Sequence, residues 1–343
     1  MQKIGHMMEN NPYISVIITA YNRKEFLLDA FNSALNQTLD RSKYEIIVTK
    51  NFTDDKIDSY IKRYGGKLVF FEEGSMGEQI ADALKYAKGQ VICFLDDDDL
   101  FDKEKLHYIY NIFSKNANFG YMHNSEYFIN ENREKVNTKI NMYEKNKSLV
   151  LMNKDKRILK LIKVEQDYNP IFNMSSIAIR KNLLINYLKY LKNLKTNQDG
   201  FMYFCALNSD FDLYFTNKKL TYYRLHNSTT INHNSYKNFK ETLIQQFEYT
   251  RNSLEPLLSV FVKKSIILYL TYWLREREIF YYFHEGNFRI KVVINLIKNS
   301  PYMILAIPKR FLMRCFQVTF YVIWPNKFRN FDFNYSKRIL KWG

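Results

Sequence analysis

Hydrophobic and polar positions change period repeatedly between Tyr13 and Leu95. Ile14-Ser15-Val16-Ile17-Ile18-Thr19-Ala20 is a short β-branched run, the texture of a strand buried on both faces. Lys24 to Gln37 then carries Phe26, Leu27, Ala30, Phe31, Ala34 and Leu35 at helical spacing. The cycle repeats with a strand at Glu45 to Thr49, a helix near Asp55 to Tyr64, a strand at Lys67 to Phe71 and a helix from Gly77 to Lys88. A fourth strand, Gln90 to Leu95, runs into four consecutive aspartates. Such alternation with short connections predicts an α/β fold, a mostly parallel sheet flanked by helices. Ligands gather at the carboxyl ends of strands in sheets of this kind. Tyr21, Asn22 and Arg23, then Lys50 and Asn51, then Asp96 to Asp99 are therefore expected on one rim.

The regular rhythm fails after a helix from about Asp102 to Ser114. Gly120 to Ile129 reads as strand, and Asn130 to Leu161 is a charged, Asn-rich insert whose pattern predicts no shape. A strand over Ile171 to Arg180, helices near Asn182 to Leu194 and Asp199 to Leu207, and strands at Phe211 to Phe215 and Leu220 to Leu225 are expected to complete a domain spanning residues 1–235. From about Tyr236 the chain becomes helical, aromatic and basic, which sets residues 236–343 apart as a C-terminal extension. Its longest uncharged stretches reach about ten to twelve residues, short of the ~20 a transmembrane helix needs.

With 46% hydrophobic and 25% charged residues the 343-residue chain can bury a sizeable core, which excludes global disorder. The net charge of +16 calls for an anionic partner: nucleic acid, an anionic membrane or phosphorylated small molecules. From His284 onward eleven Lys/Arg stand against two Asp/Glu. That tail has three readings: a helical cap on the domain, a helix lying in a membrane interface, or a nucleic-acid contact that no recognised module supports. Cys93, Cys205 and Cys315 are far apart and lie in apolar runs, as buried free thiols do. The polar N-terminus, Met1 to Asn11, lacks the apolar stretch of a signal peptide.

Carboxylates clustered at one strand end repel each other unless a cation sits among them. Mg²⁺ and Mn²⁺ prefer oxygen and typically use one or two carboxylates plus substrate phosphates. An acidic run by itself is more often a solvated loop; the apolar strand leading into a sheet rim turns the reading toward a metal site.

The segments Ser15 to Arg23, Glu45 to Val48 and Ala87 to Asp99 resemble, in order and spacing, the family 2 glycosyltransferases of the GT-A fold, and the likeness extends from about Tyr13 to His226. The resemblance implies a nucleotide-sugar donor, a Mg²⁺ or Mn²⁺ cofactor and a glycan or lipid-linked acceptor at the inner face of the cell membrane. By position, Thr19, Ala20 and Tyr21 would line the nucleobase and ribose, with Arg23 near the donor. Asp96 and Asp98 match the family's Asp-x-Asp, although the quartet also permits a register of Asp97 with Asp99. Asp199, in Gln198-Asp199, matches the base that takes the acceptor's proton. Tyr223-Arg224-Leu225-His226 resembles a closing Arg-x-His element, with Arg224 toward the donor and His226 toward the metal or diphosphate.

One departure stands out. The family usually has Asp-Asp-Gly-Ser after its second strand, whereas this chain reads Lys50-Asn51-Phe52-Thr53. A lysine can only donate, so either Asn51 takes the aspartate's place against the base, or Lys50 points to phosphate or to solvent. The resemblance leads to an inverting, metal-dependent glycosyltransferase. The alternatives are a polyprenyl-phosphate sugar synthase and a non-catalytic binding module that keeps the fold.

Overall fold

The computed structural model describes residues 11–72, 74–136, 147–226, 235–285, 289–306 and 308–340. Its first half follows the alternating pattern: β1 (Ile14–Ala20), α1 (Leu27–Leu35), β2 (Tyr44–Lys50), α2 (Asp55–Arg63), β3 (Lys67–Phe70), α3 (Met76–Tyr86) and β4 (Val91–Asp96). These four strands are parallel in the order β3-β2-β1-β4. Side chains on a strand alternate in direction, so two fully buried strands serve two cores. Ile14, Val16, Ile18 and Ala20 of β1 pack with Val91, Cys93 and Leu95 of β4 against Leu27, Ala30 and Phe31 of α1. Ile17, Ile92 and Phe94 face the opposite side and pack with Ile80, Ala83 and Leu84 of α3. A Cβ at Gly77 would collide with the carbonyl of Leu191, so only glycine lets α3 approach that backbone.

Beyond the quartet come β5 (Leu100–Phe101), α4 (Lys105–Lys115), β6 (Phe119–Ile129), β7 (Ser148–Leu151), α5 (Ile158–Tyr168), β8 (Ile177–Arg180), α6 (Lys181–Ile185), α7 (Leu188–Leu191), α8 (Gln198–Asn208) and β9 (Asp212–Arg224). The sheet continues from β4 through β8, antiparallel to it, to β6, β9 and β5, with β7 pairing β9. Several expectations need correction here. The strand expected from Ile171 is confined to Ile177–Arg180, because Asn173 has a left-handed φ of 66° and leads into a 3₁₀ turn at Met174–Ser176. The helix expected near Asn182 to Leu194 is two short ones, and the two strands expected after Phe211 are a single β9. The unreadable insert contributes β7 and the start of α5, while residues 137–146 and the N-terminus up to residue 10 lie outside the described residues.

The C-terminal helices are α9 (Tyr236–Leu254), α10 (Lys264–Glu285), α11 (Arg289–Ala306), α12 (Pro308–Ile323) and α13 (Pro325–Leu340). Ile266, Tyr269, Leu270 and Trp273 of α10 join the core of α5 and α8, with Trp273 edge-on to Phe204 at 5.6 Å. Farther along α10, Ile279 and Phe283 form a smaller core with Val292, Val318, Tyr321 and Phe328. Buried His284 ties three helices together through Tyr236 Oη at 3.2 Å and Asp332 Oδ2 at 2.9 Å. Cys93 and Cys205 are buried free thiols as expected, but Cys315 on α12 is half-exposed. Among the described residues no helix is long and apolar enough to cross a membrane.

Candidate active site

The carboxyl ends of β1, β2 and β4 lie side by side, and their loops meet as the alternation implied. Gln79 of α3 locks two of them, donating from Nε2 to the carbonyls of Ala20 (3.2 Å) and Thr49 (2.9 Å). The Asn22 N–H donates to Asn51 Oδ1 (2.8 Å), and Asn51 Nδ2 donates back to Asn22 Oδ1 (2.7 Å). Thr19 is buried and donates to Asp96 Oδ1 at 3.3 Å, the Ala20 side chain is wholly buried, and Tyr21, directly after β1, is 44% exposed.

Lys50 overturns the reading in which its side chain reaches phosphate or solvent. It is buried, with Nζ 2.8 Å from Asp58 Oδ1 of α2, bonded to the carbonyl of Phe52 and 4.6 Å from the Phe52 ring centroid. A buried ammonium needs a nearby anion and acceptors, and a carboxylate one turn into the next helix supplies them. Lys50→Met keeps the aliphatic stem but leaves Asp58 without its cation. The expected result is a loss of about 1.5–3 kcal/mol in chemical denaturation, with nucleotide affinity unchanged in calorimetry.

Within the quartet, Asp97 and Asp99 are buried while Asp96 and Asp98 remain partly open. Arg23 spans two members: Nε donates to Asp97 Oδ2 at 3.1 Å, and Nη2 pairs with Asp97 Oδ1 and stands 2.6 Å from Asp98 Oδ2. His226 Nε2 lies 2.7 Å from the same Asp98 oxygen and 3.0 Å from Arg23 Nη1. A single ring nitrogen cannot donate to the carboxylate and accept from the guanidinium at once, and donation to Asp98 matches the charges. Arg224 is almost wholly buried. Its side chain is buried under the quartet, where Nε donates to the Asp98 carbonyl (2.8 Å), Nη1 to the Glu131 carbonyl (2.7 Å), and its backbone N–H to Asp99 Oδ1 (3.0 Å). Through these contacts Arg224 buttresses the turn.

Burial and the charges of Asp98 and Asp97 push the Asp96 carboxyl up to about 8. Burial raises Asp97 to about 6 against the opposing pull of Arg23. Asp99 is raised well above the carboxylate range by burial, Asp98 and Asp96. Burial would lift Asp98 too, but the His226 hydrogen bond and the Arg23 charge outweigh it and hold that carboxyl low. The rim thus carries more carboxyl groups than its own cations can keep ionised.

Asp199 sits in the first turn of α8, where the helix N-terminus favours a carboxylate. Its Oδ1 accepts the Gly200 N–H at 2.7 Å. Burial raises it to about 6, opposed by the N–H groups of Gly200 and Asn173 and by the charge of Arg277. Its charge is felt at Asp96, and Tyr223 is raised by Asp99, Asp98, Asp96 and Asp199 after burial, so the two acidic groups lie near one another.

Several supporting residues escaped the sequence reading. Ser175 Oγ accepts the Asp96 N–H at 3.0 Å, while the Asn173 N–H serves Asp199, so the turn Asn173–Ser176 braces both acidic groups. Behind it Lys105 is wholly buried, donating to Asn124 Oδ1 (2.8 Å), the Ser175 carbonyl (2.7 Å) and Thr221 Oγ1 (2.7 Å). Arg277 of α10 lies against the Trp273 ring, centroid 3.2 Å from its guanidinium carbon. The positive φ at Asn173 follows asparagine's tolerance of the left-handed region. A lysine in a helix's first turn gives no local sign of burial. Among the described residues no group of three or more His, Cys, Asp and Glu side chains is arranged to hold a metal on protein ligands alone.

Comparison with known proteins gives this geometry a context. An uncharacterised glycosyltransferase of Rickettsia typhi is 28% identical over 262 residues, which is 74% of this chain and 73% of that protein. A poly(ribitol-phosphate) beta-glucosyltransferase of Bacillus spizizenii is 36% identical over 110 residues, covering 30% of this chain but only 17% of the relative. The crystal structure of S. aureus TarS residues 1–349 in complex with UDP-GlcNAc superposes with a TM-score of 0.56 at 16% identity, covering 95% of this chain and 91% of that one. That likeness gives the fold, which is GT-A with a helical C-terminal region. The Glycosyl transferase family 2 profile matches residues 15–187, half of the chain, and the protein belongs to the family 2 glycosyltransferases.

Proposed function

We propose that this enzyme catalyses inverting, metal-dependent transfer of a hexose from a nucleoside-diphosphate sugar to a hydroxyl of a glycan or lipid-linked acceptor. One observation supports the reading: the partly exposed carboxylates Asp96 and Asp98 at the end of β4 lie close enough to Asp199, an ionisable carboxylate on a separate helix, for its charge to act on Asp96. In the reaction Asp199 takes the proton of the acceptor hydroxyl while its oxygen bonds to the anomeric carbon. The bond from that carbon to the diphosphate breaks on the opposite face, and the configuration inverts. Tyr21, Thr19, the Ala20 backbone and Asn51 border the space for the nucleoside, and Arg23 stands between it and the quartet.

The donor set fits Mg²⁺ or Mn²⁺. Asp98 and Asp96 would offer hard oxygen ligands, with His226 joining them only by giving up its hydrogen bond to Asp98, and the upward shift at Asp96 marks a place short of positive charge. Two carboxylates suffice where substrate phosphates complete the coordination. When bound, the cation neutralises charge on the departing diphosphate. The partial exposure of Asp96 and Asp98, against buried Asp97 and Asp99, favours the first register.

The name of the Bacillus relative and the UDP-GlcNAc in the S. aureus structure support a nucleotide-sugar donor and a polymeric acceptor of this general kind. A polyprenyl-phosphate acceptor needs no strong base, so the placement of Asp199 argues for a hydroxyl. A decayed, non-catalytic module is disfavoured because Lys50, its one symptom, has a structural role with Asp58. Residues 1–235 would carry the catalytic groups and 236–343 the contact with the inner face of the cell membrane. A panel of nucleotide sugars, tested for nucleoside diphosphate release with and without EDTA, checks the proposal. EDTA-sensitive turnover of one donor is expected; no turnover with any would overturn it.

A further inference from the structure

Helices α11 and α12 are apolar on two sides. Their inner sides enter the small core through Val292, Val318 and Tyr321. Outward, α11 shows Ile290, Ile294, Ile297, Pro301 and Ile304, a spacing of four, three, four and three residues that makes one continuous helical stripe. α12 shows Leu312, Met313, Phe316 and Ile323 on a second stripe, and exposed Trp324 follows directly after its last residue. The exposure is not marginal: Ile290 is 75%, Leu312 66% and Phe316 70% exposed. Scattered surface apolar residues need no explanation, whereas ordered stripes of this size mark an interaction surface.

Charge selects the occupant. From Arg289 to the end of the chain eleven Lys/Arg face a single acidic residue, Asp332, and Arg289, Lys291, Lys298 and Lys327 are exposed beside the stripes. A second copy seated on this face would bring two strongly cationic regions together, in a chain whose net charge is already +16. An anionic bilayer offers phosphates to the cations and acyl chains to the aliphatic and aromatic side chains. Neither helix qualifies to cross it, so they would lie in its plane.

We propose that α11 and α12 form a docking face for an anionic phospholipid surface. Ile290, Ile297, Leu312, Phe316 and Trp324 enter the acyl boundary while the neighbouring lysines and arginines meet headgroup phosphates. This deepens the reading of a lipid-linked acceptor, and it rests on that reading only for its purpose, since adsorption is measured without turnover.

The full chain is sedimented with vesicles of phosphatidylcholine alone and of phosphatidylcholine mixed with phosphatidylglycerol. Binding to the mixed vesicles is expected, weakening as salt is raised. The Leu312→Ser/Phe316→Ser variant should bind at least about tenfold less and keep the wild-type thermal midpoint, because both side chains are already exposed. Equal binding of variant and wild type, or absence of binding by wild type, overturns the proposal. So does a concentration-dependent dimer that the variant loses without any vesicle binding, an outcome that would assign the face to a second copy. Donor turnover is followed alongside without vesicles. Absence of vesicle binding by the wild type with its turnover intact defeats the docking face alone, and absent turnover with wild-type binding intact defeats only the glycosyltransferase mechanism.

Discussion

Asp199→Asn is expected to lower kcat by about 10²–10⁴-fold, the range that loss of a general base produces, while nucleotide-sugar affinity stays near wild type. The substitution is nearly isosteric and keeps an oxygen for the Gly200 N–H, so the start of α8 is preserved. The pH dependence provides an independent readout. With the carboxyl at about 6, activity should rise through that value as the base ionises. At pH 5 about a tenth of the enzyme would hold an ionised base, and at pH 8 nearly all of it would. Arg277 opposes protonation of Asp199, so Arg277→Gln should move this limb to higher pH, a displacement that simple loss of packing against Trp273 would not produce. A rate for Asp199→Asn within threefold of wild type would remove Asp199 from the mechanism.

The second large effect concerns the quartet. Asp98→Asn is expected to cut kcat/KM by about a hundredfold or more, because it removes the most readily ionised carboxylate of the rim from a site that must neutralise a leaving diphosphate. Mn²⁺-dependent tightening of nucleoside diphosphate binding, read by calorimetry, should disappear with it. Asp99→Asn serves as the contrast. Asp99 is buried, and burial with the charges of Asp98 and Asp96 shifts its carboxyl upward, whereas Asp98 is held low, so the amide at Asp99 is expected to remove less charge than the one at Asp98. Its Mn²⁺ dependence should remain within about threefold of wild type. The reverse pattern would assign the cation to Asp97 and Asp99.

The sheet's first half was legible because its signals are local. A strand buried on both faces must be a short β-branched run, and a helix laid on it must repeat apolar residues near every third or fourth position. Ile14–Ala20 and Leu27–Leu35 satisfy both conditions with neighbours in sequence alone. β5 has two residues and β7 four, too few for any period to emerge, and their pairing with β9 is a long-range event. The helical character of residues 236–343 was legible, but which side chain of α13 packs inward, Phe328, was not.

The chain by itself determined the class of fold, the rim on which the functional groups gather and the run of aspartates at the tip of β4. All of these follow from hydrophobic period and from the rule that parallel strands present their carboxyl ends together. Tertiary structure alone decided which aspartates stay partly exposed, that Lys50 turns inward to Asp58, that Arg224 props the quartet from beneath, and that Ser175 and Lys105 stand behind it. The reason is one of range. Burial period is written in adjacent residues, whereas the partner that satisfies a buried charge arrives from any distance along the chain, as Arg224 does some 126 positions after Asp98.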